Sequence, residues 1–240
     1  MFAKIVYSPL SISSAYDYHD SPYFEKLMAR TRARDYEEKR ALILKQAVQL
    51  FAERGFANSS ITQLAVRCGA SKAWLYHYFN SKDAVLFEIF NEYTQRLVNV
   101  VLDVRGLGLA PEAQFMEFLH RFLRIYESAQ TTHLVLLYDL NRLGREQYEI
   151  IASRERTVVN ELAAILDALS PDLLKHKPEL RKPLAMTLMG MINWTFTWLR
   201  KDGPVSHEKF AELTAQVFLH GITGLNQTSG KKLSLKKLQK

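Results

Sequence analysis

The chain has 240 residues, of which 48% are hydrophobic, so it can bury the core of one large domain or of two smaller ones. Its single cysteine, Cys68, excludes a disulfide within the chain and favours a reducing compartment, so we expect a cytoplasmic protein. No apolar run is long enough to span a membrane, and no membrane partner is expected.

The net charge of +7 is concentrated in two stretches. Residues 30–85 contain ten Lys and Arg against five Asp and Glu, and residues 231–240 contain five Lys and no acidic residue. Clustered positive charge favours a polyanionic partner such as nucleic acid. A solvated face without a partner is the alternative, and it is the better interpretation of the Lys-rich tail taken alone.

Residues 1–34 are predicted to form an N-terminal extension with a basic arm. Residues 1–29 are aromatic and polar without a helical or strand period, so we expect them to be disordered or loosely packed. Arg30, Arg32 and Arg34 then form the arm, which could reach DNA phosphates or a minor groove. A solvated lead-in to the first helix explains these three residues equally well.

The first helix is predicted from Tyr36 to Arg54, and Gly55 ends it. Its apolar positions have the i, i+4, i+7, i+8 spacing of a helix with one buried face, and they are Ile43, Ala47, Leu50 and Phe51. Such a helix would support the two short helices that follow it.

Two short helices joined by a tight turn are predicted next. Ser60 can cap the first, and Gln63 three residues later completes a capping box. Gly69 stands where a helix end needs a left-handed residue, and Ser71 can cap the second helix. Two helices joined by a short glycine-containing turn form the helix-turn-helix pattern, whose second helix enters the major groove of DNA.

The second of these helices is predicted to read DNA bases. Leu75 and Phe79 would face inward, which leaves an outer face of Lys72, Ala73, Trp74 and His77. Lys72 could donate to guanine O6 or N7, whereas Ala73 and Trp74 offer apolar contact to thymine methyl groups. A buried Trp74 is the alternative, but the inward side is already occupied, so we expect its ring to be exposed.

The remaining predicted elements are also helices, so the fold class is all-α. A long linking helix, capped by Ser81, is predicted from Lys82 to Val104. Further helices are predicted at residues 112–129, 132–143, 145–169 and 183–200, and from Ser206 to Gly224. The predicted domains are a DNA-binding head at 35–82, a helical body at 83–225 and a basic tail at 226–240.

The last two helices are predicted to form an interface between two copies. The helix from Leu184 to Arg200 is apolar on nearly every side and must therefore be covered all round. The last helix has two apolar faces, one of Phe210, Leu213 and Val217 and one of Ala211, Phe218 and Ile222. One face can serve the core and the other a second copy, and we expect Phe218 at the interface. A buried pair within a monomer is the alternative.

The helix-turn-helix region resembles the tetracycline-repressor-like (TetR-family) transcription regulators. The register holds over three consecutive helices, which an unrelated helical hairpin would not match. The matching positions run from Ile43 to Leu86 and include Ala47, Leu50, Phe51, Gly55, Ile61, Thr62, Leu64, Ala65, Gly69, Ser71, Lys72, Leu75, Tyr76, Tyr78, Phe79, Ser81 and Lys82.

The resemblance implies a homodimeric repressor that binds a palindromic operator in double-stranded DNA, with residues 83–225 as its ligand-binding and dimerisation domain. A small hydrophobic effector would tilt the linking helix and release the DNA, through a coupling that acts equally in both directions. Tyr76 and Lys82 match family positions that contact the DNA backbone. Thr62 and Ser71 stand at helix N-termini, where hydroxyl and backbone N–H groups meet phosphate.

A looser resemblance is to the TetR-family regulators that sense acyl-coenzyme A thioesters. It rests on Asn193-Trp194, on Trp198 before a Gly-Pro turn, and on an Arg-rich stretch after Tyr138. It implies an apolar tunnel lined by Met186, Met189, Phe196 and Trp198, with Asn193 at the thioester carbonyl and Arg142 or Arg145 at the coenzyme phosphates. Ordinary core packing is the alternative for each of these side chains.

The sequence contains no glycine-rich phosphate loop, no metal-spaced cysteine cluster and no His-Glu-x-x-His motif. We therefore predict no catalytic residues, no bound metal and no cofactor apart from the effector. Two other interpretations stay open: a helical enzyme with a vestigial helix-turn-helix, and a DNA-binding architectural protein without a ligand. A body with a solid core and no pocket would favour the second.

Overall fold

The computed structural model describes residues 22–227, and the side chains of residues 30, 31 and 33–222. All regular secondary structure in that range is helical, which confirms the all-α prediction. The chain divides into two compact units, residues 1–43 and 44–240. Of the residues 1–29 that were predicted to be disordered or loosely packed, 1–21 lie outside the described residues and 22–29 belong to the first helix. Of the predicted tail at 226–240, residues 226 and 227 belong to the last helix and the rest lies outside the described residues.

The first helix, α1, spans Pro22–Arg54, so the predicted start at Tyr36 is wrong. Two exposed ion pairs support the helix where the sequence lacks an apolar period. Each joins residues one helical turn apart: Arg34 and Glu38 at 3.4 Å, and Lys39 and Asp35 at 2.6 Å. The predicted basic arm therefore lies within a helix, and the predicted domain boundary between residues 34 and 35 falls inside it.

The helix-turn-helix has the predicted local structure. Helix α2 spans Ile61–Arg67 and α3 spans Lys72–Tyr76. The Ser60 hydroxyl accepts from the Gln63 N–H at 3.2 Å, and the Gln63 side chain accepts from the Ser60 N–H at 2.8 Å, which completes the capping box. Gly69 has φ +64°, a left-handed conformation that a side chain would strain.

Helices α4 to α10 form the body, in which α4 packs on α7 and α5, α5 on α10, and α7 on α9. Their bounds are α4 Lys82–Gly106, α5 Pro111–Ser128, α6 Gln130–Asp139, α7 Arg145–Leu169, α8 Pro171–His176, α9 Arg181–Asn193 and α10 His207–Gln227. Short 3₁₀ turns follow α6 at Leu140–Arg142, α8 at Pro178–Leu180 and α9 at Trp194–Thr197. The predicted caps of α4 and α10 are present, with Ser81 accepting from the Ala84 N–H and Ser206 from the Lys209 N–H.

Helix α9 ends at Asn193 and does not continue to Arg200 as predicted. The Thr195 hydroxyl donates to the Ile192 carbonyl at 2.6 Å, and the Thr197 hydroxyl donates to the Trp194 carbonyl at 2.7 Å. Each hydroxyl thus bonds to the carbonyl three residues earlier in the tighter 3₁₀ turn. Such side-chain bonds to the backbone compete with continuation of the α-helix.

Helix α10 has the two predicted faces, but their roles are reversed. Phe218 is buried, and its ring lies 5.7 Å from that of Phe115 in α5, so it belongs to the core of the body and the expectation of an interface position is wrong. Leu213 and Val217 are 50% and 55% exposed on the opposite side. The outward apolar face of α10 is therefore the one that contains Leu213 and Val217.

Candidate DNA-binding surface and ligand cavity

Helix α3 presents its predicted outer face to solvent because Leu75 is fully buried beneath it. Lys72, Ala73 and His77 are exposed, and Tyr76 is 42% exposed. Trp74 is half-buried rather than fully exposed, since its ring packs 4.8 Å from that of Tyr78. The structure thus brings the predicted base-reading residues to one surface.

Aromatic contacts hold the side chains of this surface in place. The Lys72 ammonium lies 5.6 Å from the centre of the Tyr76 ring, and the His77 ring meets the Tyr78 ring edge-on at 5.3 Å. Of the predicted phosphate contacts, Thr62 is exposed in the first turn of α2, while the Ser71 hydroxyl accepts from the Trp74 N–H at 3.1 Å as a helix cap. Each of these DNA contacts stays a prediction.

Lys82 has an internal role that the sequence did not indicate. Its ammonium donates to the carbonyls of Phe56 and Ser59 at 2.6 and 2.8 Å, and it lies 4.2 Å from the centre of the Phe56 ring. Two of its three N–H donors are therefore occupied. Lys82 fastens the start of α4 to the loop between α1 and α2, and its predicted contact with the DNA backbone stays a prediction.

The body contains a cavity of about 600 Å³ to which α4, α5, α6, α7 and α9 all contribute side chains. Most of its wall is aliphatic or aromatic, which suits an apolar ligand. The apolar lining consists of Leu97, Phe122, Leu136, Leu137, Leu140, Ala152, Val158, Val159, Met186 and Met189.

One part of the cavity wall is a buried polar cluster. The Tyr93 hydroxyl and His133 Nδ1 are 2.8 Å apart, and the Tyr126 hydroxyl donates to Asn193 Oδ1. Burial raises the pKa values of Tyr93 and Tyr126, and it lowers the pKa of His133 to about 4. All three groups are therefore neutral at pH 7, so this wall can exchange hydrogen bonds but carries no charge.

A second group of polar lining residues is accessible to solvent, and it is mainly basic. Arg156 and Lys182 are exposed, and Arg154 is half-buried with its guanidinium donating to the Asn91 carbonyl at 2.8 Å. Partial burial of the Glu155 carboxyl raises its pKa, although Glu155 as a whole residue is exposed to solvent. We call the exposed pair Arg156 and Lys182 the basic rim.

The lining includes three of the seven predicted ligand residues, namely Met186, Met189 and Asn193. The other four lie elsewhere. Arg142 is exposed and pairs with Asp139 at 2.7 Å, Arg145 is exposed at the start of α7, the Phe196 ring packs 5.3 Å from His133, and the Trp198 ring packs 5.2 Å from Phe210. Their assignment as ligand contacts stays a prediction.

Sequence reasoning missed the polar lining residues Tyr93, Tyr126, His133, Arg156 and Lys182. They come from separate helices, so no local motif joins them. The one available signal was His133, a single imidazole directly before the apolar run of residues 134–137 in α6.

In the part of the chain that the structure describes, no three His, Cys, Asp or Glu side chains are grouped to hold a metal ion. Over the same residues, the helices are too short or too polar for any to cross a bilayer.

A helix-turn-helix head and an all-helical body with a cavity between its helices together define the class of ligand-binding helix-turn-helix regulators. Residues 43–89 match the family model "Bacterial regulatory proteins, tetR family", and residues 108–222 match "Tetracyclin repressor-like, C-terminal domain". A TetR-family transcriptional regulator of known structure from Bordetella parapertussis is 34% identical, with a TM-score of 0.71 over 77% of this chain and 96% of that one. The chain belongs to the TetR family of transcriptional regulators.

Two further relatives give the range of similarity. AibR, solved in complex with isovaleryl coenzyme A and operator DNA, is 22% identical with a TM-score of 0.62, over 75% of this chain and 97% of AibR. The transcriptional regulator YuxN of Bacillus subtilis is 32% identical over 83 residues, which are 35% of this chain. The chain matches only 28% and 25% of the length of the first two curated relatives, YuxN and YerO, also of Bacillus subtilis.

Proposed function

We propose that the protein is a homodimeric repressor that binds a two-fold operator and is released from it by a small hydrophobic effector. The observation that carries the proposal is the position of α4. This helix begins at Lys82, which is bonded to the loop before α2, and it lines the cavity with Tyr93, Thr94 and Leu97. One rigid element thus contacts both candidate sites.

The distance along α4 from Lys82 to Tyr93 is about 16 Å at the usual rise of a helix. A ligand that displaces Tyr93 or Leu97 acts on the same helix that holds the helix-turn-helix through Lys82. The effect on DNA affinity equals the effect of DNA on ligand affinity, because the coupling free energy is shared by the two sites.

Two exposed apolar faces support the homodimer. Helix α9 and the turn after it expose Met186 and Trp194 by 50% and 64%, and α10 exposes Leu213 and Val217. Apolar groups that recur on one side of two helices are typical of a surface that a partner covers. A second copy of the chain would match the two-fold symmetry of a palindromic operator.

An acyl-coenzyme A is the effector that we propose. The lining offers an apolar compartment for an acyl chain and a basic rim for coenzyme phosphates, although the rim consists of Arg156 and Lys182 rather than Arg142 and Arg145. Asn193 Oδ1 already accepts from Tyr126, so only the amide N–H groups of Asn193 remain to meet a carbonyl. The cavity also weakens the interpretation of the protein as an architectural DNA-binding protein without a ligand.

The proposal is tested by selecting a bound sequence from random double-stranded DNA and then measuring its release by fluorescence anisotropy. Acyl-coenzyme A esters of four to sixteen carbons (about that range suits a cavity of this size) are compared with free coenzyme A and the corresponding acids. We expect a palindromic site and release by esters only. If the selection yields no enriched sequence, DNA recognition is contradicted. If none of the esters releases the DNA, only the proposed effector is contradicted.

A further inference from the structure

Among the described residues, four buried side-chain atoms have no hydrogen-bond partner, namely Nε2 of His120, Nε2 of His133, Nδ1 of His207 and Oγ1 of Thr214. Of these four residues, only His133 lines the cavity. An unpaired polar atom in a low-dielectric interior is costly, and because His133 borders the cavity, a ligand in the cavity is the group that can complete it.

Tyr93, which is hydrogen-bonded to His133, determines whether Nε2 of His133 donates or accepts. The phenol of Tyr93 is neutral and buried, and His133 Nδ1 is its one hydrogen-bond partner in the described part of the chain. A phenol has a single proton to donate, so the arrangement that pairs this proton has Tyr93 donating to Nδ1. The proton of the neutral imidazole then lies on Nε2, which makes Nε2–H an unpaired donor.

The imidazole is also held rigidly. The Tyr126 ring lies 4.7 Å from it and the Phe196 ring 5.3 Å from it, and only 5% of His133 is exposed. Because the donor cannot turn away to find another acceptor, it selects for an acceptor at one position in the cavity.

We propose that His133 Nε2–H donates a hydrogen bond to a neutral oxygen of the ligand, and that Tyr93 fixes the tautomer that makes this possible. The inference deepens the proposed function and rests on it in assigning the ligand to this cavity. It states the chemistry of the occupant: an apolar compound with a carbonyl, ester or hydroxyl oxygen at His133.

The charges around the cavity exclude a carboxylate as the group that meets His133. The imidazole and the two phenols beside it are neutral, so an anion there would lose its hydration without gaining a cation. Of the three cations of the lining, Arg156 and Lys182 are exposed to solvent, and Arg154 is half-buried with its guanidinium bonded to Asn91. An amphipathic ligand therefore directs any anionic group to the basic rim and its neutral oxygen to His133.

The first test is the tautomer of His133 in the full-length protein without ligand. Nitrogen-15 chemical shifts of labelled histidine distinguish a protonated from an unprotonated ring nitrogen, and Tyr93→Phe identifies the signals because it removes the partner of Nδ1. We expect a protonated Nε2 and an unprotonated Nδ1 at pH 7. A proton on Nδ1 would overturn the inference without reference to any ligand.

The second test compares octanoyl-coenzyme A with S-octyl-coenzyme A, a thioether that has a methylene in place of the carbonyl. We expect the parent protein to bind the thioester at least about fivefold more tightly than the thioether. His133→Phe keeps an aromatic ring but has no N–H donor, so it should bind the two compounds about equally. A preference that persists in the variant overturns the inference, while effector release by thioesters can still hold.

If neither coenzyme compound binds, the proposed effector fails and a neutral pair makes the same comparison. 2-Octanone and 2-methyl-1-octene differ only in C=O against C=CH₂. Loss of the ketone preference in His133→Phe supports the inference, and a ketone that does not bind, or whose preference is unchanged, overturns it. If His133→Phe does not fold, the tautomer in the parent protein gives the answer.

Discussion

At the scale of single residues, the buried imidazole of His133 makes stability depend on pH. Burial lowers its pKa to about 4, and the unfolded chain restores a value near 6.5. Between these two pH values the unfolded state binds a proton that the folded state does not. The contribution of His133 to the free energy of unfolding is therefore fully present above pH 6.5 and is lost as the pH falls toward 4.

We therefore expect the free energy of unfolding to fall by about 2 kcal/mol more between pH 7 and pH 5 in the parent protein than in His133→Gln, which does not titrate. Urea denaturation at the two pH values measures this difference. His207, whose pKa is also lowered by burial, is present in both chains and cancels. Equal losses in the two chains would show that His133 does not titrate as proposed.

Lys82 and Lys72 are both predicted DNA contacts, but the structure separates their roles. Lys82→Met removes two hydrogen bonds to the carbonyls of Phe56 and Ser59 and should cost about 1–3 kcal/mol of unfolding free energy. Lys72 is exposed, so Lys72→Met should change stability by less than about 0.5 kcal/mol while it weakens DNA binding. Urea denaturation and DNA titration of both variants check this, and equal stability losses would contradict the internal role of Lys82.

At the scale of elements, local signals predicted what local interactions determine. The capping box at Ser60, the left-handed Gly69 and the caps at Ser71 and Ser81 each depend on a few neighbouring residues, and all are present. Two boundaries were missed. Helix α1 begins at Pro22, in a stretch whose sequence has no apolar period, and α9 ends early at a Thr-rich 3₁₀ turn.

The same scale decides which face of α10 meets the partner. Val217→Glu places a charge on the outward face without disturbing the core, so it should dissociate the proposed dimer and leave the helical content unchanged. Leu102→Glu, at a similarly exposed position of α4, is the matched control and should stay dimeric. Sedimentation velocity with circular dichroism measures both, and a dimeric Val217→Glu would exclude this face.

Phe218 gives a contrasting result on the opposite side of α10. Phe218→Ala removes a ring that packs against Phe115 and should destabilise the fold by about 3–5 kcal/mol through the cavity that it leaves. Its effect on assembly would follow from unfolding, so urea denaturation at several protein concentrations separates this loss from a loss of dimer contacts. A stable, dissociated Phe218→Ala would restore the sequence-based interface.

At the scale of the whole molecule, the cavity is a property of packing that no segment of the sequence contains. Tyr93 and His133 come together from α4 and α6, and Arg156 and Lys182 from α7 and α9. The apolar character of α9 predicted Met186, Met189 and Asn193 because they belong to one helix. The predicted cations Arg142 and Arg145 do not belong to the lining, since Arg145 is the first residue of α7 and the lining on that helix begins only at Ala152, about two turns further along the axis.

The two sets of cations allow a direct test of how the effector lies. Coenzyme phosphates near the basic rim would be partly solvated, so each cation contributes modestly and the contribution falls with added salt. Arg156→Gln with Lys182→Gln should weaken octanoyl-coenzyme A binding about tenfold in total and leave operator affinity without ligand unchanged. Arg142→Gln with Arg145→Gln removes the same charge and should bind like the parent protein. Calorimetry at two salt concentrations measures all three proteins. If only Arg142→Gln with Arg145→Gln loses affinity, these two predicted cations hold the phosphates. Equal affinities of all three proteins would contradict an anionic effector at the basic rim.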